Sequence, residues 1–376
     1  MGTSGLCLTA LIAGLLTGLP SGTASGGTDP PRPLRLAAER GGVSALDVPL
    51  GRELGPAGGG RYRSSRMSTG AFSMVGFTWP SSGPDVRLRV RVRADGGWGA
   101  WQQAEPMSHN PDARSSEGGS RAGSELLWVG RSNAVQVESG RRPPAGLSMT
   151  LIQPGRDPAR ASARTPAAKP QKPRRAPRPE YRGRKAWGAD ERLRDGSPRY
   201  NRTIQQVHVH HTVNSNKYDR SDVAGLIRGM YRYHTQSLGW SDIGYNFLVD
   251  RFGRTWVGRA GGARRAVRGA HTLGFNSTST GVAVIGNYET AWPWKKVRTA
   301  IVQLAAWKLD KYDRDPGGTV RVYSHGSDRF PAGRTVRLPT IDGHRDTNET
   351  ACPGRHLYAK LPNIRRRAAE RADRFG

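Results

Sequence analysis

No core can be built from residues 156–186, RDPARASARTPAAKPQKPRRAPRPEYRGRKA. The stretch holds six prolines and eleven Lys or Arg against two acids, Asp157 and Glu180, and nothing apolar recurs with a helix or strand period. That composition favours an extended, solvated, self-repelling segment. The chain is therefore expected to organise on either side of it, and 376 residues leave each side room to bury a core. The expected division is a β-rich accessory domain at 45–155, a linker at 156–183 and a second domain at 184–376. The linker's charge also suits an anionic wall polymer.

On the N-terminal side the apolar period is two. DVRLRVRVRA (85–94) alternates strictly, with Val86, Leu88, Val90 and Val92 on one face and arginines on the other. AFSMVGFTWP (71–80), ELLWVG, AVQVES and GLSMTLIQPG continue the pattern, separated by Gly, Pro and Asn. DGGWGAW (95–101) reads as a hairpin turn carrying Trp98 and Trp101. Short strands without a helix period predict a small all-β, sandwich-like domain. Its arginine face and tryptophans suit a carbohydrate or wall polymer as well as plain solvation, and no titratable constellation there suggests catalysis.

Beyond the linker the pattern becomes mixed α/β. TIQQVHVHHT (203–212) and TGVAVIGNY (280–288) read as buried strands, YNFLVDRFGRTWVG (245–258) as a hairpin, and VRLPTIDGHRD (336–346) as a returning strand. RSDVAGLIRGMYRYHTQSLGW (220–240) reads as a helix capped by Ser221 or Asp222, with Val223, Leu226, Ile227 and Met230 on one face. KVRTAIVQLAAWKLDKY (296–312) and the basic C-terminal stretch read as two more. A mixed central sheet flanked by helices is the expected architecture.

Leu6–Leu19 is apolar and uncharged, with Pro20 and small residues behind it, and reads as a secretory signal peptide spanning 1–25. No later run approaches the roughly 20 apolar residues of a membrane span. The expectation is a monomer, secreted or associated with the cell wall. An excess of 59 Lys+Arg over 30 Asp+Glu predicts attraction to polyanions. No nucleic-acid-binding motif is recognisable, so for an exported chain an anionic wall is the expected partner.

Signal removal would also take Cys7, leaving Cys352 in GHRDTNETACPG without an intramolecular partner. A metal-ligand or nucleophilic role follows more readily than an inert thiol. His208 and His210 of VHVHHT share one strand face and His211 takes the other. Two imidazoles and a thiolate suit Zn²⁺ with a fourth position open to water. His208, His210, His211, His344 and Cys352 are thus the candidate donors, and periodicity alone does not choose among the histidines of VHVHHT.

RKAWGADERLR, VHVHHTVN, GWSDIGYNFLVDRFGRTWVGR, GAHTLGFNSTSTGVAVIGNY and GHRDTNETACPG, in this order, resemble the peptidoglycan recognition protein family and the related zinc-dependent N-acetylmuramoyl-L-alanine amidases. The likeness runs from about Arg184 to the C-terminus. The β-rich half looks like the region preceding this domain in actinobacterial members. The resemblance implies zinc on His210, His344 and Cys352, with Tyr245 and Thr350 stabilising the oxyanion and His271 and Asn276 lining the substrate groove. Phage enzymes carry lysine where Thr350 stands, and recognition-protein amidases carry threonine. Members lacking the cysteine bind peptidoglycan without cutting it. His208 and His234 are expected to pack or support, and Asp346 and Glu349 to order the loop. The implied reaction is hydrolysis of the amide between N-acetylmuramic acid and L-alanine by activated water. The alternatives are a peptidoglycan-binding module without catalysis and a cysteine peptidase using Cys352 with His344 as base.

Overall fold

The computed structural model describes residues 33–38, 42–82, 86–108, 111–112, 115, 117, 121–155, 165–166 and 175–375. The expected signal peptide and most of the linker lie outside these residues.

Two long antiparallel strands, Met67–Pro80 and Leu127–Ser139, organise the N-terminal sheet. Ser148–Gln153 pairs with the first and Leu88–Ala94 with the second. The alternation of DVRLRVRVRA places Leu88, Val90 and Val92 in a core with Phe72, Val137 and Leu151 and turns the arginines outward. ELLWVG and AVQVES, which read as separate strands, belong to the single strand Leu127–Ser139. Its register shifts between Trp128 and Ala134, so the intervening polar residues are absorbed as an irregularity and pairing resumes beyond them.

The second sheet runs Thr255–Val257, Phe247–Val249, Ser279–Val284, Gln206–His211, Ile341–Gly343, parallel except for the first pair. Gln206–His211 lies between two parallel neighbours and buries all six residues. Helices Lys295–Asp310 and Leu361–Asp373 cover one face, and Asp222–Arg232, prolonged by a wider turn at Tyr233–Ser237, packs on the other. VRLPTIDGHRD divides at Pro339–Thr340. Thr335–Pro339 forms a separate hairpin with Thr319–Tyr323, and Ile341–Gly343 enters the main sheet.

The two halves share a core. Val43, Ala45, Met74, Leu126 and Ile152 cluster with Ile227, Met230, Tyr233 and Leu238. Tyr233 donates its hydroxyl to the carbonyls of Phe77 (2.6 Å) and Ser124 (3.0 Å). Buried Arg228 donates to Pro154 O, Trp187 O and Gly155 O. Nor are the linker's described residues simply solvated. Arg182 adds to the edge of Thr255–Val257, Ala176 is buried, and Thr165 bridges to Tyr181. Proline lacks only its N–H, so the segment's remaining amides and carbonyls can pair against an available edge.

Lys308 is buried beside Phe247 and Trp307, with Nζ donating to Ala263 O (3.1 Å) and Arg265 O (2.9 Å). Burial, and secondarily Lys311, lowers its pKa from 10.5 to about 7. Between those values the unfolded chain binds more protons than the folded one, so this group makes stability rise with pH. We expect the melting temperature of the wild type to climb relative to Lys308→Met between about pH 7 and 10. Parallel curves would exclude the effect.

Candidate metal centre and its cleft

Strand parity sorts the three histidines of VHVHHT. His208 is fully buried and pairs through Nδ1 with Asp342 Oδ1 at 2.5 Å, directly across the parallel register. His211 turns to the other face, where its Nδ1 accepts from Tyr288 N (3.2 Å). Burial, with Arg345 adding, lowers its pKa to about 3 and keeps it neutral. His210 shares the face of His208, one step nearer the strand end, and meets the loop from the adjacent strand.

That loop begins at His344 and returns at Cys352. Asp346 ties it down, accepting from Gly343 N (2.8 Å) and Tyr358 Oη (2.6 Å), and Arg345 N donates to Cys352 O (2.9 Å). Donor atoms of His210, His344 and Cys352 all lie within 4.8 Å of one another. Cys352 Sγ stands 3.7 Å from His210 Nδ1. A tetrahedral zinc with bonds of about 2.0–2.3 Å spaces its donors by about 3.3–3.8 Å, a range that holds the Cys352–His210 spacing, and two imidazoles with a thiol are a zinc donor set. Burial, with the charge of Glu125 adding, pushes the Cys352 thiol well above its ordinary range, and a cation beside the sulfur is what would favour the thiolate.

His271 is not on a groove wall. It is fully buried, and its Nδ1 lies 3.1 Å from His210 Nε2, the ring nitrogen of His210 not facing Cys352. Such a partner fixes the orientation of a metal-binding imidazole. Asn276 is likewise inside, its Oδ1 accepting from the amides of His271 (2.8 Å) and Thr272 (3.1 Å). GAHTLGFN closes on itself, so His271 and Asn276, expected along the substrate groove, are buried and are not among the residues that line the cleft beside Cys352. Tyr245 is buried with its ring 5.6 Å from that of His210. Burial first, then the charges of Glu125 and Cys352, raise its pKa well above the ordinary value and keep the phenol protonated. His234 is buried against Trp240, and its Nδ1 accepts from Gly244 N (3.1 Å).

A cleft of about 530 Å³ opens beside Cys352, with Thr350, His211 and Glu349 on its wall. Thr350 Oγ1 accepts from Cys352 N (3.1 Å) and donates to Ser108 Oγ (2.9 Å). Ser108 belongs to the β-rich half, which also contributes Glu105, Met107 and Glu125 to the cleft. Asp112 Oδ1 accepts from Gly274 N (2.9 Å) and Asn276 Nδ2 (3.0 Å), and Glu117 pairs with Arg259. On either side of Glu125, Tyr233 Oη holds Ser124 O and Asn214 Nδ2 holds Leu126 O. Sequence reasoning missed this wall because residues 105–125 lie between strand patterns and carry no spacing motif.

A mixed-sheet α/β domain with two imidazoles and a thiol converging at the end of its central strand is the class that fold and site define. Residues 200–355 match the N-acetylmuramoyl-L-alanine amidase family, and residues 36–178 match the Rv3811 N-terminal galactose-binding domain-like family. The C-terminal part of the chain is thus similar to N-acetylmuramoyl-L-alanine amidases and to peptidoglycan-recognition proteins. Peptidoglycan-recognition protein SC2 of Drosophila simulans is 29% identical over 153 residues, 41% of this chain and 70% of that protein. The human N-acetylmuramoyl-L-alanine amidase is 34% identical over 157 residues, 41% of this chain and 23% of that protein. Among solved structures, Drosophila PGRP-LB aligns at 27% identity and a TM-score of 0.38, covering 48% of this chain and 91% of the other.

Proposed function

We propose that this chain is a secreted, zinc-dependent amidase that hydrolyses the bond between N-acetylmuramic acid and L-alanine in peptidoglycan. The observation that carries the reading is the convergence of His210, His344 and Cys352 beside an open cleft. His210, His344 and Cys352 would hold a zinc ion, which would supply Lewis acidity for a bound water near neutral pH. His271 holds the His210 ring in the tautomer that directs Nδ1 to the centre. The protonated Tyr245 hydroxyl, and Thr350 Oγ1 once its proton turns from Ser108 to the substrate, provide hydrogen bonds to charge developing on the carbonyl oxygen. A cysteine-peptidase reading fits less well, since burial raises the Cys352 pKa where a nucleophilic thiol needs it lowered. Among the described residues no helix is long and apolar enough to cross a membrane.

The test is digestion of purified peptidoglycan followed by mass spectrometry of the released peptides. Peptides with new L-alanine amino termini are expected, lost with EDTA and regained with zinc. A zinc-loaded protein that binds the wall and releases none would instead be a binding module.

A further inference from the structure

The outward face of the β-rich half carries a second constellation. Residues alternating along Leu88–Ala94 recur about every 6.7 Å on one face, and there they are Arg89, Arg91 and Arg93, with Arg87 just before the strand. Register carries the row across the sheet, with Arg63 and Arg89 on either side of Glu138. That buried carboxylate pairs with both, so one acid is shared by two guanidinium groups.

Two tryptophans prop this array. Arg66 and Arg91 lie 5.4 and 5.3 Å from the Trp98 ring centroid, and Arg63, Arg89 and Arg91 lie 5.7, 5.7 and 4.9 Å from that of Trp101. A guanidinium stacked on a ring loses less freedom when it binds, and Arg63 and Arg91 are held further through Nε and Nη2 by Glu138 and Gln136. Beside the array lies a cavity of about 1100 Å³ lined by Arg61, Arg87, Arg89 and Arg141. Arg61, Arg87 and Arg141 are exposed. Glu105 and Pro106 line both this cavity and the cleft beside Cys352.

We propose that this arginine face is a second binding site, for an anionic polysaccharide, adjoining the metal-site cleft. Guanidinium groups at regular steps complement carboxylates or phosphates repeated along a polymer. Single-stranded nucleic acid would need free aromatic faces on which to stack its bases, and here arginines lie over both tryptophans. The shared wall at Glu105 and Pro106 places a polymer held on this face beside the opening to Cys352. The site goes beyond the amidase reading, and equilibrium binding reports on it whether or not the chain hydrolyses anything.

The experiment uses the full chain and fluorescently labelled polygalacturonate oligosaccharides at physiological ionic strength, with dextran as the neutral control. The triple variant Arg61→Ala/Arg87→Ala/Arg141→Ala alters exposed side chains. A second triple variant, Lys217→Ala/Arg220→Ala/Arg264→Ala, removes the same charge from exposed positions of the other domain. Polygalacturonate should bind, dextran should not, and the first variant should weaken binding by about tenfold or more while the second changes it less than about twofold. Equal weakening in both variants would reduce the effect to net charge and overturn the proposal. Failure of the wild type to bind polygalacturonate also overturns it. So does a single-stranded oligonucleotide that outcompetes polygalacturonate and loses its own affinity in the first variant.

Discussion

Cys352→Ser is expected to lose its metal and, with it, at least about a thousandfold in amidase rate, since two imidazoles without the thiolate no longer form a three-donor centre. The substitution changes one atom. Serine is nearly isosteric, but its hydroxyl does not ionise near neutral pH, and the imidazoles that remain are neutral donors. Cys352 is 7% exposed, and its Sγ accepts from His211 N at 3.4 Å, so a hydroxyl there finds the same backbone partner. The fold should survive with a loss of about 1–2 kcal/mol. Circular dichroism would then match the wild type while zinc content by atomic emission falls toward zero. A variant that keeps its zinc and its rate would remove Cys352 from the centre. Thr350→Ala is the useful contrast. It leaves all three donors in place, so metal content should persist while the rate falls by about tenfold or more from one missing hydrogen bond to developing charge. If both variants lost zinc alike, Thr350 would be holding the loop through Cys352 N and not acting on substrate.

How much of this was legible beforehand depended on how local each signal was. VHVHHT contains its own parity rule, so once one ligand is assigned, the faces of the other two histidines follow. His344 and Cys352 were readable from the family likeness of their loop, and the structure brings them to His210. His271, which the resemblance places on the substrate groove, is fully buried. The space left by Gly269 and Gly281 is taken by the His271 ring. Docking of the two halves depends on pairs far apart in sequence, such as Tyr233 with Ser124 and Asn214 with Leu126. One sign was nevertheless present. From Phe72 to Trp79 the strand Met67–Pro80 is buried continuously, on both faces. An apolar run of that kind marks a strand covered on both sides, a sign that the expectation of a small all-β, sandwich-like domain did not use.

Gly281→Ala should weaken metal binding by about 10- to 100-fold without touching a ligand. Gly281 sits within Ser279–Val284, opposite His208 in the parallel register, and its backbone is ordinary strand. A Cβ there would lie 2.4 Å from His271 Cγ, 2.5 Å from Cδ2 and 2.8 Å from Nδ1. The same ring also packs against Gly269, where a Cβ would come within 2.3 Å of Cδ2. The imidazole must therefore slide out of its slot, and the atom it carries away is Nδ1, the partner of His210 Nε2. Overpacking of this kind costs about 1–3 kcal/mol of stability, measurable by denaturant titration. The effect on the metal separates a specific displacement from general damage. Gly55, around which a Cβ would meet nothing within 4 Å, supplies a control whose alanine variant should bind zinc normally. Adding His271→Ala to Gly281→Ala removes the ring that the new methyl strikes. The double variant should then recover the packing loss and bind zinc no worse than His271→Ala alone, a non-additivity expected where two substitutions act through one contact. Losses that simply add would show that Gly281 acts on the centre by some route other than the His271 ring.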